Sequence, residues 1–152
     1  MNKVGVKVLK LEHFDDQLPL PQYESTHAAG ADIRACLKLK TLSIKPGERV
    51  LIPTGLSFEI PQGFEIQIRP RSGLSLKTNL LVVNSPGTID ADYRGELKVI
   101  MGNIGEVEHT ISHGDRIAQM ILAPVIQASF EISKDLSTTA RGASGFGSTG
   151  MN

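Results

Sequence analysis

Turn signals recur through this chain at short intervals, and the runs between them are too short and too rich in β-branched residues for helices. KPG at 45–47, PQG at 61–63, SPG at 85–87 and SHGD at 112–115 are punctuation built on Gly and Pro. Between them Val4, Val6 and Val8 alternate with Gly and Lys. ERVLI (48–52), LSFEI (56–60), FEIQI (64–68), ELKVIM (96–101), EVEHTI (106–111), RIAQMILAPV (116–125) and ASFEIS (128–133) follow. Such runs read as short strands. Many short strands with close turns predict an all-β single domain, a jelly-roll-like β-barrel or sandwich. One short helix is expected near SGLSLKTN (72–79). The β pattern gives way near Lys134, so the expected division is a β core over 1–133 and a polar, Gly-rich tail over 134–152.

Several classes of function are excluded early. Acidic and basic residues balance at 16 each, which argues against a general nucleic-acid binder while leaving room for a local cationic pocket. Cys36 is the single cysteine. It rules out an intrachain disulfide framework, suits a reducing compartment and fits a small buried hydrophobe. No charged-then-apolar leader opens the chain, and LLVV (80–83) is far too short to cross a bilayer. A cytoplasmic protein with no membrane partner is expected.

Polar clusters interrupt the strand pattern at a few places. In VVNSPGTIDADYRGE (82–96) a strand enters, Pro86-Gly87 turns it, and Asp90, Asp92, Tyr93 and Arg94 crowd the segment that follows. This is either a solvated hairpin with Asp90 paired to Arg94, or a carboxylate beside an aromatic wall, able to take a proton from water where geometry holds the two together. RPRSGL (69–74) sets Arg71, Ser72 and Gly73 at a helix start. That is either a turn capped by Ser72 or an anion site. AAGADIRA (28–35) carries Asp32 after a glycine bend, on a strand edge. GDRIAQM (114–120) places Asp115 and Arg116 in a β-turn and Gln119 on the next strand. His109 and His113 lie four apart on a strand-to-turn segment, where no shared metal is expected. His13 and His27 read as ordinary loop residues. No P-loop and no zinc-deaminase signature occurs.

The end of the chain, RGASGFGSTGMN (141–152), contains G-x-G-x-x-G at Gly145, Gly147 and Gly150. A dinucleotide fingerprint needs a preceding strand and a following helix, and the sequence supplies neither. Its composition suits a flexible coil. Arg141 and Phe146 are the features that such a coil does not need.

Taken together, AGADIRA, PRSGLS, GTIDADYRGE, GDRIAQM and RGASGFGSTG, spanning Ala29 to Gly150, resemble in order and spacing the five signature motifs of the trimeric deoxyuridine triphosphatase (dUTPase) family. Ser144 stands where the pattern has a second glycine. The resemblance implies Mg²⁺-dependent hydrolysis of dUTP to dUMP and pyrophosphate. It makes Asp90 the base that activates water for attack on the α-phosphorus. Tyr93 would lie under the deoxyribose and exclude a 2′-hydroxyl. Uracil would sit between Asn84 and Lys98, with Thr88 and Ile89 lining the pocket. Arg71, Ser72, Gly73 and Gln119 would hold the phosphates, and Asp32 would touch the metal through water. Phe146 would stack on uracil, with Arg141, Gly147 and Ser148 on the γ-phosphate. It also implies a homotrimer whose sites draw on three chains. Two other readings stay open. One is a dCTP deaminase-like enzyme of the same fold, for which Glu96 is the nearest candidate acid. The other is a non-catalytic trimeric nucleotide-binding scaffold.

Overall fold

Ten strands and one short helix form among residues 3–143, the part of the chain that this computed structural model describes. They are β1 (Lys7–Lys10), β2 (Ala31–Arg34), β3 (Thr41–Ile44), β4 (Arg49–Glu59), β5 (Phe64–Arg69), α1 (Ser72–Lys77), β6 (Leu80–Val82), β7 (Gly87–Ile89), β8 (Glu96–Asn103), β9 (His109–Ser112) and β10 (Arg116–Pro124). One sheet runs β1-β4-β8-β6 and a second runs β2-β10-β5-β7, while β3 and β9 form a ribbon. All pairings between these strands are antiparallel. Non-consecutive neighbours in both sheets make this the expected jelly-roll-like all-β fold.

Strand alternation decides what faces the core. On β8, Leu97, Val99 and Met101 are buried while Lys98 and Ile100 point to the other face. The inward residues meet Ile33, Ile52 and Ile66 in one continuous cluster. Burying one such aliphatic side chain contributes about 2 kcal/mol. The period of two means that the strand carrying the core on one side carries the candidate pocket on the other. Cys36 is buried as expected and makes no disulfide.

Some boundaries differ from expectation. The first strand is Lys7–Lys10 rather than Val4–Val8, because its register against β4 runs from Lys7 opposite Glu59 to Lys10 opposite Leu56. Only the end of EVEHTI is strand, from His109, where β3 supplies a partner. ASFEIS (128–133) forms no strand within the described residues. Phe130 and Ile132 alternate as a strand would, yet among the described residues no strand pairs with them, and both are fully exposed. The helix stops at Lys77. Its N-cap position is Arg71, in extended conformation and with no side-chain cap, so Ser72 is the first helical residue and not the cap. Among the described residues, no helix is long and apolar enough to cross a membrane.

Candidate active site

The chain passes from one main sheet to the other between β6 and β7, and a pocket opens there. Asn84, Thr88, Ile89, Asp90, Tyr93 and Lys98 line it, together with Leu51, Glu96 and Ile100. Its volume is about 420 Å³, within the range of small-molecule sites. Gly87 packs closely on Asn84, since a Cβ there would come 3.1 Å from Nδ2 of Asn84 and 3.3 Å from its main-chain oxygen. Leu51 and Ile100, paired across β4 and β8, give the pocket an apolar wall.

Asp90 follows β7 directly. The alternative of an Asp90–Arg94 ion pair does not hold. Arg94 turns its Nη1 to the main-chain oxygens of Ala91 (2.7 Å) and Tyr93 (2.9 Å). Both bonds are made by Nη1, to carbonyls within three residues of Arg94, and the guanidinium also acts on Glu59. Among the described residues Asp90 therefore faces the pocket without a cationic partner.

Glu96 was not expected at the pocket except as a deaminase candidate. Its Oε1 accepts the Gly55 N–H at 2.8 Å and lies 2.9 Å from Nε2 of His13, and Lys98 Nζ stands 3.4 Å from Oε2. His13 is thus more than an ordinary loop residue, a role that its sequence surroundings do not reveal. Burial raises the Glu96 carboxyl, but the contacts with His13, Gly55 and Lys98 outweigh it, and the group is held below its ordinary value of 4.5. A carboxyl depressed in the folded state lends stability that is present above the unfolded value. That stability is lost as pH falls through the folded value. Denaturant titrations from about pH 6 to about pH 3 are accordingly expected to show wild-type stability dropping below about pH 4.5, with a shallower acid limb in Glu96→Gln.

A second polar cluster forms around β10. Gln119 lies opposite Asp32 on β2 and opposite Arg69 on β5. The chain turns into α1 three residues after Arg69, which brings Arg71, at the N-cap, back to Asp32. Nε of Arg71 is 2.9 Å from Asp32 Oδ1, and Nη1 of Arg116 is 3.1 Å from Oδ2. Gln119 Nε2 donates to the Pro70 carbonyl at 2.9 Å. Gly30 leaves room for this amide, since a Cβ there would come 3.1 Å from Cδ of Gln119. Ser72 and Gly73 sit beside the cluster on the exposed first turn of α1. Asp115 makes the expected β-turn, accepting the Ser112 N–H at 2.8 Å. Arg116, read as part of that turn, instead reaches both Asp32 and Glu24.

Among the described residues, no three His, Cys, Asp or Glu side chains come together as a metal cage. His113 meets Asp15 (3.0 Å) and main-chain groups of Leu37. Asp32 alone, balanced by two guanidinium groups, fits a magnesium ion held mainly by phosphates and water. It does not fit a resident ion in a protein cage.

The structure therefore gathers Asn84, Thr88, Ile89, Asp90, Tyr93 and Lys98 at one pocket, and Asp32, Arg71 and Gln119 at another place. None of Arg71, Ser72, Gly73 or Gln119 lines the pocket. Arg141 is at the exposed end of the described chain. Phe146, Gly147 and Ser148, with Ser144, lie outside the described residues.

Comparison with known proteins adds a family. A dUTPase family model matches residues 16–150. A deoxyuridine 5'-triphosphate nucleotidohydrolase of Roseobacter denitrificans is 56% identical over 150 residues, covering 99% of each chain. One from Bdellovibrio bacteriovorus is 58% identical over the same length, again covering 99% of each. Among solved structures, the dUTPase of Staphylococcus bacteriophage 80alpha with dUpNHpp superposes with a TM-score of 0.86 at 26% identity, covering 97% of this chain and 99% of that one.

Proposed function

The chain belongs to the dUTPase family and is a dUTP diphosphatase, and we propose that its Asp90 activates the water that attacks the α-phosphorus of dUTP. The observation that carries this reading is the pocket itself. A carboxylate without an ion-pair partner and a tyrosine ring line one cleft with Asn84, Thr88, Ile89 and Lys98. Uracil enters between Asn84 and Lys98, where Asn84 and main-chain groups match its O4 and N3–H. Cytosine presents the opposite pattern and would leave buried groups unpaired. The ring of Tyr93 lies under the deoxyribose and leaves no space for a 2′-hydroxyl.

Arg71, Ser72, Gly73 and Gln119 hold the phosphate chain. Ser72 is assigned to the bridging oxygen between the α and β phosphates. A hydrogen bond there strengthens as leaving-group charge builds, and such strengthening lowers a barrier. Magnesium, when bound with the nucleotide, offsets phosphate charge. Asp32 would meet its water shell, with Arg116 keeping that carboxylate in place. The arrival of a triphosphate transfers Arg71 from Asp32 to phosphate oxygens.

The assembly is a homotrimer with shared sites in this reading. Two observations support it. The phosphate-binding residues are absent from the lining of the uracil pocket in the same chain. Leu76 and Ile104, neither of them in the pocket lining, are large apolar side chains left exposed, which a second copy would cover. The segment 134–152 acts as a lid, bringing Phe146 onto uracil and Arg141, Gly147 and Ser148 to the γ-phosphate. A lone buried thiol at Cys36 fits work in the cytoplasm.

The deaminase alternative needs Glu96 as an acid–base group at the pyrimidine. Its carboxylate is already committed to Gly55, His13 and Lys98. Incubation with dUTP and Mg²⁺ is expected to give dUMP and pyrophosphate in equal amounts, and incubation with dCTP no ammonia. Ammonia release from dCTP, or dUTP binding without pyrophosphate, would reverse the assignment.

A further inference from the structure

Tyr93 owes its position to contacts behind the pocket. Its hydroxyl donates to the main-chain oxygen of Glu96 at 3.1 Å. Its ring occupies the space that a side chain on Gly95 would need. A Cβ there would come 2.6 Å from Cζ and 3.0 Å from Cε2. The main chain of Gly95 and Glu96 is therefore the seat of the ring.

That seat is fastened from β4. Pro53 lies opposite Lys98 and Ser57 opposite Glu96, so Thr54, Gly55 and Leu56 face Leu97 alone. The ladder is interrupted by a bulge, with Gly55 at φ +69°, and bulges re-aim the chain beside them. Side chains take over from the missing ladder bonds. Thr54 Oγ1 donates to the Leu97 carbonyl at 2.6 Å. The Ser57 hydroxyl is shared between the carbonyls of Arg94 (2.6 Å) and Gly95 (3.0 Å). The freed Gly55 N–H goes to the Glu96 carboxylate. Thr54 and Ser57 are buried, belong to none of the five motif stretches, and do not line the pocket.

We propose that this bulge, acting through Ser57 and through the bare Cα of Gly95, is a positioning device for Tyr93 and sets how strongly the enzyme separates deoxyribose from ribose. The inference rests on the reading of Tyr93 as the sugar floor. A ring excludes a hydroxyl only if it cannot retreat, because repulsion rises over a few tenths of an ångström. Loosening the Arg94–Gly95 main chain, or pushing the ring off it, lets the floor yield to a 2′-hydroxyl.

Full-length Ser57→Ala and Gly95→Ala are to be compared with wild type in kcat/KM for dUTP and for UTP, and in melting temperature. The preference for dUTP over UTP is expected to fall about fivefold in Ser57→Ala and about tenfold in Gly95→Ala, the scale of one lost or misplaced contact. His113→Ala serves as the comparison. It breaks the contacts to Asp15 and Leu37, touches neither Tyr93 nor the pocket, and should lower the melting temperature while keeping the preference. A wild-type preference in either folded variant overturns the proposal, however far its melting temperature drops. Gly95 is exposed, so its variant decides the matter if Ser57→Ala does not fold. A wild-type enzyme that turns over UTP as readily as dUTP would instead sink the sugar reading of Tyr93.

Discussion

Asp90→Asn is expected to lower kcat for dUTP by about a thousandfold, within the contribution of a positioned general base, while KM changes only a few fold. Asn matches Asp in size and keeps an oxygen toward the pocket, but it cannot take a proton from water. On the proposed role the effect falls on kcat, because a general base acts on the attacking water. The structure supports a clean substitution. Asp90 is exposed after β7, and among the described residues its polar contact is a main-chain one, the Tyr93 N–H to its carbonyl at 3.1 Å. No packing is lost with the charge, so the melting temperature should not move. Steady-state kinetics with dUTP, set beside the affinity for dUpNHpp, separates chemistry from binding. A variant with near-normal kcat would remove Asp90 from the mechanism.

Truncation before Arg141 is expected to cut kcat/KM by about a hundredfold or more. Stacking of one base on an aromatic ring is worth roughly 1–3 kcal/mol, and the proposed charge-assisted contact of Arg141 to phosphate would be lost with it. The fold should be indifferent. Every described residue from Pro124 to Ala143 is exposed, and the last strand ends at Pro124. The melting temperature and the assembly state of the truncated protein should therefore match the full chain. Phe146→Ala alone should reproduce a large part of the loss. Normal turnover by the truncated protein would contradict the assignment of Phe146 and Arg141 to the substrate.

The strands were legible where alternation and turn residues agreed. β4, β5, β8 and β10 fall on ERVLI with LSFEI, FEIQI, ELKVIM and RIAQMILAPV. Burial alternates along β5 and the first half of β8, while β4 is buried continuously from Thr54 to Phe58 across its bulge. ASFEIS shows the same pattern without the burial. Alternation states what a strand would do if an edge received it, and cannot say whether one does. The pocket residues were singled out through motif resemblance, and Asn84, Thr88, Ile89, Asp90, Tyr93 and Lys98 line one cleft. Leu51 and Ile100 were not singled out, though they could have been. They stand on the outward face of strands whose inward residues are core. The Glu96 cluster was out of reach. His13 and Glu96 are 83 positions apart, and Gly55 joins them only because a bulge frees its N–H. Ser57 was hidden for the same reason, since a serine in a strand run gives no sign that its hydroxyl holds a turn beyond its own ladder. Arg116 looked like half of a turn, and its hold on Asp32 depends on the register between β2 and β10.

The most direct measurement is a crystal structure of the protein with dUpNHpp and Mg²⁺. An Asp90 carboxylate oxygen should hold a water in line with the α-phosphorus and opposite the bridging group, with the uracil between Asn84 and Lys98. An Asp90 turned to a cation, with no water behind that phosphorus, would contradict the account.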